Sequence, residues 1–326
     1  MTDDEPMSYA DAGVDIAASE EATAALVGAV TSDIGGYAGT VPIGDHLLGL
    51  VTDGVGTKLL VAQAMDRYDT IGIDCVAMNV NDLVAAGLRP VAFVDYLAVE
   101  APDPAVAAAI GRGLERGVTT AGIPLIGGET AVMPEVIADL DIAGTAAGVA
   151  PPEALFDAGA APGDALVGFP ATGVHANGLT LARKALARRF KLTDPTPYDR
   201  SVSIGEELLR PTAIYTGLYE PLQAVDVHAA AHITGGGWRN LFRMGADGFR
   251  ITQRPPPPPI FEVIQRAGAI SDGEMFRTFN MGVGFVVAVP ATDAAQLCAA
   301  TDGVQLGTVE ATGGVTVTDL GLTLPS

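Results

Sequence analysis

Between residues 47 and 149, apolar runs of strand length alternate with stretches of helix length, and this alternation constrains the fold more than any other feature of the chain. Leu47 to Val51, Val91 to Val94, Ile123 to Ile126 and Ile142 to Val149 read as strands, and the mostly apolar Gly72 to Ala86 reads as a helix. A second helix is predicted after Pro104, a residue suited to a first helical position. Val106, Ile110, Leu114 and Val118 recur every four residues behind it, and Gly122 supplies the stop. From Pro151 to Asp164 the composition shifts to Pro, Ala, Gly and acid without periodicity. A domain boundary is expected there, dividing the chain into residues 1–155 and 156–326. The second half restarts with a strand at Ala165 to Phe169, a glycine-bearing loop and a helix from Gly178 to about Phe190, and Val283 to Val289 and the stretch from Gly314 follow as strands. The proline run Pro255 to Pro259 is extended and leads into a helix at Ile260 to Ala267. The predicted class is α+β (mixed α/β) in two domains, and 326 residues with 48% hydrophobic content can fill two cores.

Charge narrows the function. The formal net charge is −21, and only three of the 18 basic residues are lysine (Lys58, Lys184, Lys191). Such a surface repels nucleic acid and anionic lipid, and carboxylates in this excess suit a high-salt interior where self-repulsion is screened. Two cysteines, Cys75 and Cys298, cannot build a disulfide framework or a Cys-rich zinc site. The acidic opening Met-Thr-Asp-Asp-Glu-Pro lacks the features of a leader, and no apolar run nears the roughly 18 residues that span a bilayer, so the expectation is a cytoplasmic protein.

Three of the apolar strands run into an acid: Asp53, Asp95 and, past Gly127 and Gly128, Glu129. Ligands of open α/β sheets gather at that edge. A fourth acid, Asp82, follows Asn79-Val80-Asn81 in an otherwise apolar helix, where such groups are costly to bury without partners. Each acid alone could cap a turn, but four together point to a hard-cation site. Thr52 to Lys58 adds glycines, a hydroxyl and a rare lysine, the chemistry of a phosphate loop, yet it matches neither the P-loop pattern nor G-x-G-x-x-G. As a bare string it is equally a glycine turn. Gly173-Val174-His175-Ala176-Asn177-Gly178 stands between a strand and a helix, which suits anion binding or acid/base work by His175; the spacing serves equally well for Asn177 as an N-cap with His175 a loop residue. His228 and His232 have a helical metal spacing but no Cys or Glu to complete a zinc set, and Gly235 to Gly237 suggest a backbone nest for phosphate.

Taken in order, Tyr9-Ala-Asp-Ala-Gly-Val-Asp15, Thr52-Asp-Gly-Val-Gly-Thr-Lys58, Asp74-Cys-Val-Ala-Met-Asn-Val-Asn-Asp-Leu83, Asp95-Tyr-Leu-Ala98, Gly127-Gly-Glu-Thr-Ala131 with Met133-Pro134, Gly173 to Gly178, Ala231-His-Ile-Thr-Gly-Gly-Gly237 and Arg277-Thr-Phe-Asn-Met-Gly282 resemble the phosphoribosylformylglycinamidine cyclo-ligase (AIR synthetase) family over nearly the whole chain. The resemblance implies a PurM-like two-domain fold, with an N-terminal mixed sheet that pairs with a second copy into a homodimeric barrel and a C-terminal α/β domain for substrate. It implies conversion of formylglycinamidine ribonucleotide and ATP to aminoimidazole ribonucleotide, ADP and phosphate, with Mg²⁺ and room for K⁺. Carried over by motif, Asp53, Asp82, Asp95 and Glu129 are expected on Mg²⁺ and the ATP phosphates, with Asp53 also among the nucleotide-binding residues. Gly54, Gly56, Thr57, Lys58, Asn81, Gly127, Gly128, Glu129 and Thr130 are expected on nucleotide, Gly235, Gly236 and Gly237 on substrate or phosphate, and His175, Asn177 and Lys58 in catalysis. The chain departs from the family pattern at Ser19-Glu20, where Gly-Asn is usual and no basic residues follow, at Ala176 for serine, and at Val132 and Glu135. Among sister enzymes, the reactive N-terminal cysteine of selenophosphate synthetases and the terminal cysteine of the hydrogenase-maturation relative are missing from this sequence. Thiamine-monophosphate kinase and a non-catalytic nucleotide-binding paralogue are the alternatives.

Overall fold

The computed structural model describes residues 6–14, 16–30, 36–156 and 158–326; Asp15 of the N-terminal motif lies outside the described residues. The first unit comprises α1 (Ile16–Gly28), β1 (Gly39–Ile43), β2 (His46–Gly54), α2 (Leu59–Met65), α3 (Ile71–Ala85), β3 (Arg89–Val99), α4 (Pro104–Ala121), β4 (Leu125–Val132) and β5 (Leu140–Ala150). Its sheet has the order β1-β2-β5-β3-β4, and its one parallel pair, β3 with β4, is bridged by α4. The start of α4 follows the sequence expectation. The Asp103 carboxylate accepts hydrogen bonds from the Ala105 and Val106 amides, Pro104 stands in the first turn, and Gly122 closes the helix at φ 72°.

The strands run further than their apolar cores suggest. β3 continues through Asp95 to Val99, and β4 begins at Leu125 and takes in Gly127, Gly128 and Glu129, which the sequence placed beyond a strand ending at Ile126. Pairing from Val94↔Gly127 to Val99↔Val132 supplies the backbone bonds here, and this outweighs the weak strand preference of glycine and acid. Similarly, α5 ends at Leu186, and the chain reaches Phe190 by tighter turns.

The second unit comprises β6 (Ala165–Pro170), α5 (Leu179–Leu186), α6 (Ile204–Leu208), α7 (Tyr219–Gln223), β7 (Ala229–His232), β8 (Gly248–Ile251), α8 (Ile260–Gly268), α9 (Asp272–Thr278), β9 (Val283–Val289), α10 (Ala294–Ala300), β10 (Val304–Glu310), β11 (Gly314–Val317) and β12 (Leu322–Leu324). Its sheet has the order β12-β11-β8-β10-β6-β9-β7. Every residue of β9 is buried, as a continuous apolar run in a central strand should be.

Helix α3 joins the two units. All of its residues except Ile73 and Asp82 are buried, because it lies on the first sheet on one side and meets β7 on the other. It crosses α4 at backbone contact: a Cβ on Gly72 would lie 2.1 Å from the Leu114 amide nitrogen. The polar groups of α3 find partners across the boundary. Asn81 donates to the Ala213 carbonyl (2.8 Å) and accepts from the Tyr215 amide (2.8 Å), Asp82 pairs with His232 (2.8 Å), and Asp74 accepts from the Thr212 amide and hydroxyl (2.8 and 2.6 Å). The cost of burying these groups is thereby offset, and their bonds fix the orientation of one unit on the other.

Candidate active site

Strand β2 delivers Asp53 and Gly54 to the edge of the first sheet, and Gly56, at φ 65°, turns the chain through Thr57 and Lys58 into α2. From the second unit, the loop after β6 delivers Ala176, Asn177 and Gly178 to the first turn of α5. The two loops meet. Thr57 Oγ1 lies 2.9 Å from Thr180 Oγ1, and both loops open onto one cleft of about 380 Å³. Met78 of α3 forms part of its wall, and Tyr9 and Val14 of the N-terminal segment complete it. Asn177 lines this cleft, with its amide donating to Met78 Sδ at 3.6 Å. The helix cap is Gly178.

Three expected ligand contacts are turned inward instead. Lys58 is wholly buried, its ammonium paired with Asp74 (2.8 Å) and donating to the Arg210 carbonyl (2.5 Å). Burial pushes its pKa down, and the Asp74 carboxylate pushes back. It therefore locks the loop to the second unit and does not reach the cleft. Asn81 is likewise consumed by Ala213 and Tyr215. His175 is buried at φ 64°, with Nε2 accepting from the Thr172 and Ala213 amides (3.1 and 3.4 Å). Burial, with the charges of His232 and Lys58, holds its pKa well below the ordinary imidazole value. A neutral ring that accepts at Nε2 pins two segments together. His228 and His232 lie before and at the end of strand β7, not on a helix, and each pairs with a carboxylate, Asp164 and Asp82.

The four acids do not converge. Register places Asp53, Gly144, Asp95 and Gly128 in one row across β2, β5, β3 and β4, and cross-strand partners share a face. Asp95 fills the space over Gly128, where a Cβ would lie 2.3 Å from its Oδ1. Glu129 falls opposite Tyr96, one residue along and hence on the other face. Asp82 is engaged by His232. Among the described residues no three His, Cys, Asp or Glu side chains form a metal-binding group. Among the described residues the cleft does hold two acids, Asp53 and Asp141, the second of which sequence reasoning missed. Burial raises the Asp53 pKa against the Gly54 N–H bond, and the charge of Asp82 adds to the rise. A half-hidden carboxylate under that repulsion fits a cation bound with phosphate oxygens, since Mg²⁺ needs only one or two carboxylates when phosphate supplies the rest.

Gly235 and Gly236 line a second cleft of about 760 Å³, which shares Tyr9 and Val14 with the first. Gly237 does not line it. A Cβ there would lie 2.3 Å from the Phe276 carbonyl, so this glycine serves packing. Thr130 opens on a separate cavity of about 300 Å³ beside Leu97 and Val99.

Two α+β units share a glycine-loop cleft at their junction, and comparison of the sequence places them in the AIR synthase class. Residues 35–150 match the N-terminal domain model of AIR synthase related proteins, and residues 161–320 match the C-terminal one. The phosphoribosylformylglycinamidine cyclo-ligase of Methanosarcina acetivorans is 45% identical, with 96% of this chain and 98% of that protein covered. The chain belongs to the phosphoribosylformylglycinamidine cyclo-ligase family. Its fold is shared with the thiamine monophosphate kinase of Aquifex aeolicus (TM-score 0.65, 19% identity, 94% of this chain and 97% of that one). It is shared as well with the hydrogenase maturation protein HypE in complex with ATP (TM-score 0.62, 16% identity, 91% and 88%).

Proposed function

We propose that this chain closes the imidazole ring of aminoimidazole ribonucleotide from formylglycinamidine ribonucleotide, consuming ATP and releasing ADP and phosphate. The observation that carries the reading is the convergence of Asp53–Thr57 and Ala176–Gly178, from different units, on one cleft within a cyclo-ligase family chain. An amide oxygen is a poor leaving group. Transfer of the γ-phosphoryl to it gives an iminophosphate, the neighbouring amidine nitrogen attacks the carbon, and phosphate departs as the five-membered ring closes. The protein's task is alignment and charge neutralisation. Gly54, Gly56 and Thr57 would face the phosphates, and Asn177 the reacting group. Asp53 and Asp141 would hold Mg²⁺, which neutralises phosphate charge when bound; K⁺ is a further cation to test by omission. Residues 1–155 would bind nucleotide and 156–326 the ribonucleotide.

The first sheet also supports a homodimer. Val41, Ile43, Leu50 and Tyr96 are exposed on the face turned away from α3; Val41 pairs with Leu48, Leu50 with Ala147 and Tyr96 with Ala143, an apolar surface suited to a second copy. No described helix is long and apolar enough to cross a membrane. The acid excess supports work in a high-salt cytoplasm, so the melting temperature should rise between dilute and molar KCl.

An ATP-dependent cyclisation assay in KCl and Mg²⁺ tests the function. Turnover of thiamine monophosphate with none of the amidine would replace the reading with a kinase, and ATP binding without product would replace it with a non-catalytic role. Asp53→Asn should lower turnover by about 10²-fold or more. Its melting temperature should stay within a few degrees of the parent, because the amide removes a charge that burial already disfavours.

A further inference from the structure

The second cleft gathers two arginines in a strongly acidic chain. Arg239 and Arg243 line it together with Gly235 and Gly236; among the described residues Asp247 is the one acidic side chain in its wall, and the final residue, Ser326, also lines it, in a chain with 39 acids against 18 bases. Six other arginines are paired with carboxylates: Arg67, Arg116, Arg210, Arg250, Arg254 and Arg266. Neither Arg239 nor Arg243 has a carboxylate within ion-pair distance among the described residues. The Arg243 guanidinium lies 5.0 Å over the Tyr37 ring, which orients its plane.

The glycines are arranged to match. Asn240 donates to the carbonyls of Gly235 (3.1 Å) and Gly237 (2.8 Å). The Gly235 and Gly236 N–H groups make no hydrogen bond to the described residues. Carbonyls drawn onto Asn240 and unspent amides beside two guanidinium forks form a receptor for a tetrahedral dianion. Its volume of about 760 Å³ exceeds what phosphate alone needs and lies in the range of small-molecule sites. Tyr9 and Val14 line this cleft and the one at Asp53, so a ligand anchored here can extend to the phosphoryl-transfer position.

We propose that Arg239 and Arg243, with the amides of Gly235 and Gly236, bind the phosphate monoester of the acceptor ribonucleotide. The assignment rests on the ligase reading. It gives the nucleotide triphosphate to the carboxylate-bearing cleft, where a cation can neutralise it, and gives the monoester to the arginines.

The test is steady-state kinetics of Arg239→Gln, Arg243→Gln and Arg243→Lys, with both substrates varied. Each glutamine variant should raise KM for formylglycinamidine ribonucleotide by about 10- to 100-fold, the loss of one charge-assisted phosphate contact, while KM for ATP changes by less than about 2-fold. Arg243→Lys should recover part of the loss, since it restores charge without the planar fork. Arg112→Gln, exposed on α4, removes the same net charge and should leave both KM values unchanged. Unchanged ribonucleotide KM in both glutamine variants overturns the assignment, and a rise confined to the KM for ATP overturns it in favour of nucleotide phosphate. Calorimetry with inorganic phosphate is independent of turnover: the parent protein should bind it and both glutamine variants should bind it more weakly, whereas equal binding by all three, or none by the parent, refutes the anion site. A parent protein that binds phosphate through these arginines yet does not cyclise the amidine would sink the ligase reading alone.

Discussion

Replacing Lys58 by methionine separates two roles that its position beside a glycine loop makes easy to confuse. The ammonium is fully buried, donates to Asp74 Oδ1 (2.9 Å) and the Arg210 carbonyl, and lies in ion-pair contact with Asp74 Oδ2 (2.8 Å). Methionine fills much of the volume but leaves Asp74 with only the Thr212 amide and hydroxyl and no counter-charge. Breaking a buried pair from one side costs about 3 to 5 kcal/mol. At about 2.1 cal/mol/K of unfolding entropy per residue, 326 residues unfolding together give about 0.7 kcal/mol/K, so the melting temperature should fall by about 4 to 7 °C. Adding Asp74→Asn removes the stranded charge while keeping an acceptor for Thr212, and the double variant should be more stable than Lys58→Met alone. Differential scanning calorimetry of the parent, both single variants and the double variant closes the cycle. An unchanged melting temperature in Lys58→Met, combined with loss of ATP affinity, would refute the reasoning and place the ammonium on phosphate.

His175 is held neutral by burial, so the limbs of the pH–rate profile between pH 6 and 9 should be the same in the parent and in His175→Asn, whatever the loss in rate; a limb that vanishes in the variant would restore the histidine as a proton carrier. His228 behaves oppositely, since the hydrogen bond to Asp164 raises its pKa and the charge of Asp226 assists. Its contribution should be fully present below about pH 6.5, the unfolded value, and should disappear as pH rises through the higher folded value. The side chain is 30% exposed, so the gap between parent and His228→Gln in urea unfolding should be under about 1 kcal/mol at pH 5.5 and close to nil at pH 9. A gap that grows with pH would contradict the pairing. Gly72→Ala should cost more than about 3 kcal/mol, because the added methyl meets the backbone of α4, and near-parental stability would show that α3 can shift.

Local signals made α4 legible, since Asp103, Pro104, the four-residue apolar period and Gly122 act within one helix. The ends of β3 and β4 were not legible, because Asp95 and Gly127 to Glu129 are carried as strand only by their pairing with each other. The same dependence on register explains the metal set. Sequence shows that Asp95 and Glu129 each follow an apolar run, but their faces depend on the shift between Phe93 and Val94, which no local pattern encodes. Asp141 looks like any acid at a strand start and reaches the cleft through the packing of the folded chain. Arg239 and Arg243 gave no signal beyond their nearness to three glycines.

The misplacement of Lys58 and Asn81 has a common cause that the sequence did contain. Asp74, Asn79, Asn81 and Asp82 recur along an apolar helix, and groups so placed require buried partners wherever the helix is covered. Those partners proved to be Lys58, the Asp53 carbonyl, segment 212–215 and His232. Asp53 lines the first cleft, and His232 ends the strand that leads through Ile233 and Thr234 to the second. One polar ladder on α3 therefore sets the geometry of both clefts at once. A substitution such as Asp82→Asn, which weakens the His232 bond and removes a charge felt by Asp53 while contributing to neither wall itself, disturbs the alignment of the two ligands and should lower kcat more than it alters either KM.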